Sequence, residues 1–175
     1  MEDLGGSLDG YTMRDHSSYH ATVHPDHIGD ATAIFASMFG TPSFTDIRVE
    51  RSIILEEILD SLDERGRVID LDTVAHREAF PNHTLGFSID GPRRNIRRFA
   101  VEDLFAHRRA FYGAKNTVLC FAGKIDPRRC RALATTAFGD LPAGRRAREV
   151  APAPVQGPPK LVFVRSDDPQ TRARL

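Results

Sequence analysis

Two glutamates, Glu50 and Glu57, stand seven residues apart in the run Val49-Glu50-Arg51-Ser52-Ile53-Ile54-Leu55-Glu56-Glu57-Ile58. At about 100° per residue this spacing is two helical turns, so both carboxylates point almost the same way. Ile47, Ile53 and Ile54 flank that direction, which predicts the pair on the apolar side of an amphipathic helix. Glu56, with Ser52, Asp60 and Asp63, falls on another face that reads as solvated. Carboxylates on an apolar face are costly to desolvate unless a cation meets them. A metal ion or a buried arginine would serve.

Other chemistries find less support. His16, His20, His24, His27, His76, His83 and His107 form neither His-Glu-x-x-His nor the inverted His-x-x-Glu-His of zinc hydrolases. His16 to His27 cross an expected strand and a proline-initiated helix, so they are read as surface or strand residues. There is no Gly-x-Ser-x-Gly elbow and no phosphate-cradling loop. Cys120, in an apolar run, and Cys130, in a basic helical stretch, fit neither a disulfide framework nor a metal spacing, and read as packing residues.

These residues sit in a chain of 175, 41% hydrophobic, long enough to bury the core of one ordinary domain. Its 24 basic and 24 acidic residues cancel, so no global field attracts nucleic acid. The pairs Arg93-Arg94, Arg97-Arg98 and Arg145-Arg146 lack the interleaved aromatics of a base-stacking surface, so no nucleic-acid partner is expected. No apolar run approaches membrane-spanning length, so no membrane partner is expected either. Folded-looking sequence begins and ends abruptly, which predicts a piece of something longer. The compartment is therefore open: cytoplasmic by default, periplasmic or secreted if a signal peptide precedes it.

The glycine-rich segment Gly5 to Thr12 suits an edge strand that a backbone can approach closely, and Ser18 to Val23 alternates as a second strand. Pro25 opens a helix with Ile28, Ala31, Ile34, Phe35 and Met38 inward, ended by Gly40 and Pro42. Thr45 or Asp46 caps the acidic helix, which is expected to run to about Glu64. A helix is expected over 70–80 and a loop over 82–98. Another helix follows over 101–112, with Leu104, Phe105 and Phe111 inward. The apolar run 116–122 reads as a buried strand, Asp126-Pro127 starts a helix to about Gly139, and 160–164 reads as a strand. Between them, 142–159 is rich in proline, alanine and arginine, as a linker or long loop would be. The sum is an α+β domain, an antiparallel or mixed sheet with long helices on one face.

Taken in order, Leu4-Gly5-Gly6-Ser7-Leu8-Asp9-Gly10-Tyr11-Thr12, Tyr19, Glu50-Arg51-x5-Glu57, Phe80-Pro81-Asn82-His83-Thr84-Leu85-Gly86, Gly91 and Phe111-Tyr112-x3-Asn116-x6-Gly123 form a series. It resembles the pitrilysin/insulinase family of zinc metallopeptidases, the inverted zincins, along essentially the whole chain. The resemblance implies a metallohydrolase half-domain of the pitrilysin/mitochondrial-processing-peptidase type, truncated at both ends. Residues 1–99 would be the later part of the zinc-bearing segment and 100–175 the start of the second family segment, together one incomplete α+β domain.

It also implies an activity: metalloendopeptidase, with one zinc ion whose bound water is the nucleophile. His-x-x-Glu-His supplies two histidine ligands and the general base. Glu57 matches the third ligand, and Glu50 the acidic residue that supports catalysis. Asp9, Gly10 and Tyr11 match the edge strand that pairs with an extended peptide or unfolded-protein substrate. The family's usual Asn-Ala-aromatic is here Asp-Gly-Tyr, while Ala114 and Lys124 replace a usual proline and acidic residue. A second homologous domain or subunit would close the chamber. Without His-x-x-Glu-His, the 175 residues alone are expected not to cleave peptides. Two alternatives stand beside this reading: a non-catalytic scaffold or partner subunit of the same fold, and an unrelated α+β binding domain whose Glu50 and Glu57 meet buried arginines.

Overall fold

A computed structural model describes residues 1–148, 150–152, 160–165 and 173. The chain divides into two compact units. The first comprises Met1–Tyr11, Ser17–Thr45 and Ala100–Arg148; the second comprises Thr12–His16, Asp46–Phe99 and the described residues from 150 onward.

In the first unit, strands β1 (Ser7–Thr12) and β2 (Ser17–Thr22) form a two-stranded antiparallel sheet. Pro25 begins a 3-10 turn whose N-cap is His24; the imidazole Nδ1 accepts the Asp26 N–H at 3.4 Å. Helix α1 (Ile28–Gly40) follows, with Ala31 and Thr32 buried and Ile28, Ile34, Phe35 and Met38 half-buried. Thr32 sits in that apolar stripe because its hydroxyl donates to the Ile28 carbonyl at 2.6 Å. Helix α5 (Val101–Phe111) starts where the Asp103 carboxylate reaches back to the Ala100 N–H at 2.8 Å. Leu104 and Phe105 turn inward, but Phe111 remains 43% exposed.

Helix α6 (Pro127–Phe138) has the expected start: Asp126 caps the Arg128 N–H, and Pro127 occupies the first turn. It packs against α1 and buries Cys130. The expected strand over 116–122 does not form. Asn116 ends a 3-10 turn, and 117–122 carries no ladder among the described residues. Val118 is 91% exposed there and Cys120 is exposed rather than packed. An apolar, β-rich run signals willingness to pair, and pairing requires a neighbouring strand, which no described residue supplies to this segment. Residues 142–148 are not a free linker. The Ala114 and Lys115 N–H groups donate to the Pro142 and Ala143 carbonyls, both at 2.9 Å, and the Ala147 N–H to Asn116. That docking depends on glycine, because a Cβ at Gly113 would come within 2.7 Å of the Gly144 Cα. Residues 149 and 153–159 of the expected linker lie outside the described residues.

In the second unit, helix α2 (Ile47–Asp60) ends four residues earlier than expected, and Ser61 closes it by donating to the Ile58 carbonyl. Asp63 organises the turn beyond: it accepts the Arg65 and Arg67 N–H groups and the Arg67 guanidinium. Those bonds, led by the Arg67 N–H, hold its pKa below the ordinary carboxylate value. Helix α3 (Leu71–Ala79) is capped by Asp70, which accepts the Thr73 N–H at 2.7 Å. The segment 82–98 is not all loop. It contains a 3-10 turn (Thr84–Gly86) capped by His83, and helix α4 (Arg93–Arg98). The described residues of 160–164 form no strand, and Leu161 and Phe163 are 78% and 86% exposed.

Candidate functional site

Helix α2 has two working faces. Ile47, Arg51, Ile54, Leu55 and Ile58 repeat at i, i+4, i+7, i+8 and i+11 and form the packed stripe, with Ile58 only 5% exposed. This stripe meets α4. Arg51 belongs to it because its stem packs while its guanidinium donates from Nε to the Ile96 carbonyl at 3.1 Å and from Nη2 to the Phe99 carbonyl at 2.6 Å.

Glu50 and Glu57 lie roughly a quarter-turn round the helix from that stripe, and both are exposed. The expectation of an acidic pair on the buried side is thereby corrected. The isoleucines around the pair straddle two faces, and Arg51 rather than either glutamate is the polar member of the packed one. The expectation that they share a direction follows from the intact helix. Val49 and Ile53, 60% and 47% exposed, share their side of α2. Among the described residues, no ion pair or hydrogen bond engages either carboxylate. The result is two unpaired acids beside exposed β-branched side chains.

A tetrahedral zinc ion takes nitrogen, sulfur or oxygen ligands, three from the protein in a catalytic site. Among the described residues, no three His, Cys, Asp or Glu side chains converge well enough to hold a metal ion. The described residues therefore do not fit zinc by themselves. The histidines serve local structure instead. His83 Nδ1 accepts the Leu85 N–H, and its Nε2 is 2.8 Å from the Val150 carbonyl, an arrangement that fits the Nε2–H tautomer. His76 Nδ1 bonds the Asp72 carbonyl one turn earlier, and His27 contacts Asp30.

The second candidate element, β1, is exposed at every residue, Asp9, Gly10 and Tyr11 included. The Asp9 Oδ1 accepts the Gly10 N–H at 2.7 Å, and the Tyr11 and His20 rings lie 6.1 Å apart across the strands. Two residues that the sequence marked without a role also meet in this unit. The Tyr19 and Tyr112 hydroxyls are 2.9 Å apart, and Phe39 contacts both rings. Burial, then the Tyr112 hydroxyl, raises the Tyr19 pKa above the ordinary phenol value. Arg108 fixes the neighbouring helix end by donating to the Phe39 and Gly40 carbonyls. The sequence signal was only the pair of tyrosines at the family's positions.

Residues 1–93 match the family model described as insulinase (peptidase family M16), and residues 98–175 match that of the peptidase M16 inactive domain. The chain belongs to the insulinase family. A relative named mitochondrial-processing peptidase subunit beta, from Blastocladiella emersonii, is 32% identical over 87% of this chain and 33% of its own length. One named as an uncharacterized zinc protease of Mycobacterium tuberculosis is 29% identical over 100% of this chain and 41% of its own. Among solved structures, a peptidase M16 inactive domain from Pseudomonas fluorescens matches with TM-score 0.74 at 20% identity, over 87% of this chain and 38% of that one. This insulinase-family chain thus spans about a third of the curated relatives it matches. Among its described residues, no helix is long and apolar enough to cross a membrane.

Proposed function

We propose that these 175 residues are part of a zinc metalloendopeptidase, in which α2 supplies one acidic wall of the metal site and β1 receives the substrate as an added strand. The observation that carries this reading is the pair of carboxylates, Glu50 and Glu57, engaged by no described residue and set on an exposed and partly apolar side of α2. Glu57 is the oxygen ligand and Glu50 its acidic neighbour, which tunes the charge of the site; Glu56 is a bystander. The histidine ligands and the base come from outside these residues, since the sequence holds no His-x-x-Glu-His. Residues 1–99 are the later part of the zinc-bearing segment, 100–175 open the second segment, and a homologous domain or subunit completes the enclosure around an extended peptide.

A relative named cytochrome b-c1 complex subunit 1, from Bos taurus, 28% identical over 81% of this chain and 29% of its own length, favours a second reading, a non-catalytic partner subunit of the same fold. One experiment separates the two. The chain, preceded by a segment bearing His-x-x-Glu-His, is assayed for zinc-dependent hydrolysis of an unfolded protein. Glu57→Gln should lower the rate at least a hundredfold, Glu50→Gln roughly ten- to a hundredfold, and Glu56→Gln hardly at all. Equal effects of Glu57→Gln and Glu56→Gln would remove Glu57 from the site. A protein that hydrolyses nothing but assembles with an active relative would establish the partner reading.

A further inference from the structure

The Met13 N–H donates to the His16 carbonyl at 2.7 Å and closes the β1–β2 hairpin. Counting back from that bond, Tyr11 faces Ser18 and Asp9 faces His20 as hydrogen-bonded pairs, whereas Gly10 faces Tyr19 as a non-hydrogen-bonded pair. Two contacts agree with this register. Asp9 Oδ2 lies 4.0 Å from His20 Nε2, and a Cβ at Gly10 would come 3.2 Å from the Tyr19 ring. At a non-hydrogen-bonded position the N–H and carbonyl point away from the partner strand. The Gly10 amide therefore faces the outer edge of β1, where an added strand would bond it. That N–H is already taken, at 2.7 Å, by the Asp9 carboxylate.

We propose that Asp9 guards the outer edge of β1: its carboxylate occupies the Gly10 N–H, and an added strand docks only by displacing it. The proposal rests on the reading of β1 as the substrate-docking strand and deepens it. The carboxylate acts twice. It fills the donor that the peptide carbonyl needs, and it sets a negative charge beside the incoming carbonyl oxygen. Asp9 has 76% of its side chain exposed and can swing into water, so the guard is displaceable rather than permanent. Gly10 keeps the edge narrow, since any side chain there would press on Tyr19 and the Ser18 carbonyl. Edge strands carry such charges to discourage indiscriminate pairing, and here the same device selects among strands.

The test is a titration of the isotope-labelled 175-residue chain with a blocked, uncharged peptide of alternating threonine and valine, followed by amide NMR. Asp9→Ala should bind the peptide roughly three- to tenfold more tightly, the factor expected from one freed hydrogen bond. Asp9→Asn, which keeps a weaker neutral acceptor, should fall between. Before any peptide is added, the Gly10 amide proton shift should depend more steeply on temperature in Asp9→Ala than in wild type, the mark of a lost hydrogen bond. Equal or weaker binding by both variants, with β1 amides still responding to peptide, would overturn the guard alone. A Gly10 temperature dependence unchanged in Asp9→Ala would do the same. No response of β1 amides in any of the three proteins would overturn the docking reading, and the guard with it.

Discussion

Helix α1, of 13 residues, turns its apolar stripe onto α6, whereas α2, of 14, packs one stripe and leaves a second exposed. On α1 the inward positions are small or apolar, and the single buried hydroxyl, Thr32, is satisfied within its own helix. On α2 the packed stripe includes an arginine held by two carbonyls, while the exposed side sets Val49 and Ile53 beside two glutamates that pair with no described residue. A helix that only packs has one apolar side and one polar side. On α2 a further side mixes exposed apolar groups with acids that no described residue engages, and the proposed function gives that side its role.

Substitutions on the two sides of α2 should separate fold from site. Ile58→Ala should destabilise the chain by about 2–4 kcal/mol, because it empties a closely packed position. Ile53→Ala, on the exposed side, should stay within about 0.5 kcal/mol. Chemical denaturation of both variants checks the pair, and equal losses would mean that both sides are structural. Arg51→Ala should follow at roughly 1.5–3 kcal/mol, since it leaves the Ile96 and Phe99 carbonyls without their charged donor. Arg51→Lys should not restore stability, because one ammonium cannot span both acceptors as the planar guanidinium does.

A smaller effect belongs to the cap of α3. Asp70→Ala should cost about 1 kcal/mol by removing the acceptor for the Thr73 N–H. Burial alone would raise the Asp70 pKa, but bonds from Thr73 and the charge of Arg14 outweigh it and leave the value below the ordinary carboxylate. A depressed folded pKa gives stability that is full above the unfolded value, near 3.9, and is lost as pH falls through the folded value. Wild type should therefore lose more stability than Asp70→Ala between about pH 5 and pH 2 in acid titrations. Smallest of all, Glu57→Gln and Glu50→Gln should each change stability by no more than about 0.5 kcal/mol, because both are exposed and no described residue pairs with them. A larger loss in thermal melts would return them to the fold.

Much of this was legible in the sequence. The two strands, α1, α3, α5 and α6 followed from alternation, helical periodicity, the Pro25 start and the Asp126-Pro127 start. Helix α4 was hidden, because six residues after Gly91-Pro92, four of them arginine, show no apolar period. The helix packs on α2, a tertiary contact that leaves no mark in those six residues. The expected strand over 116–122 erred the other way, since composition can favour a strand without supplying its partner. At the site, the common direction of Glu50 and Glu57 was readable from spacing alone. Their exposure was not, because Arg51 looks like a surface residue until its carbonyl acceptors are known. The Asp9–Gly10 bond was equally hidden, as it depends on hairpin register.

On the proposed function, these residues hold an acidic wall of a metal site and not the whole site. Zinc content after exhaustive dialysis of the zinc-loaded chain, measured by elemental mass spectrometry, tests it most directly. Far less than one zinc per chain is expected, unchanged by Glu57→Gln. One equivalent retained by wild type and lost on Glu57→Gln would contradict the claim, because the chain would then complete the site with its own ligands.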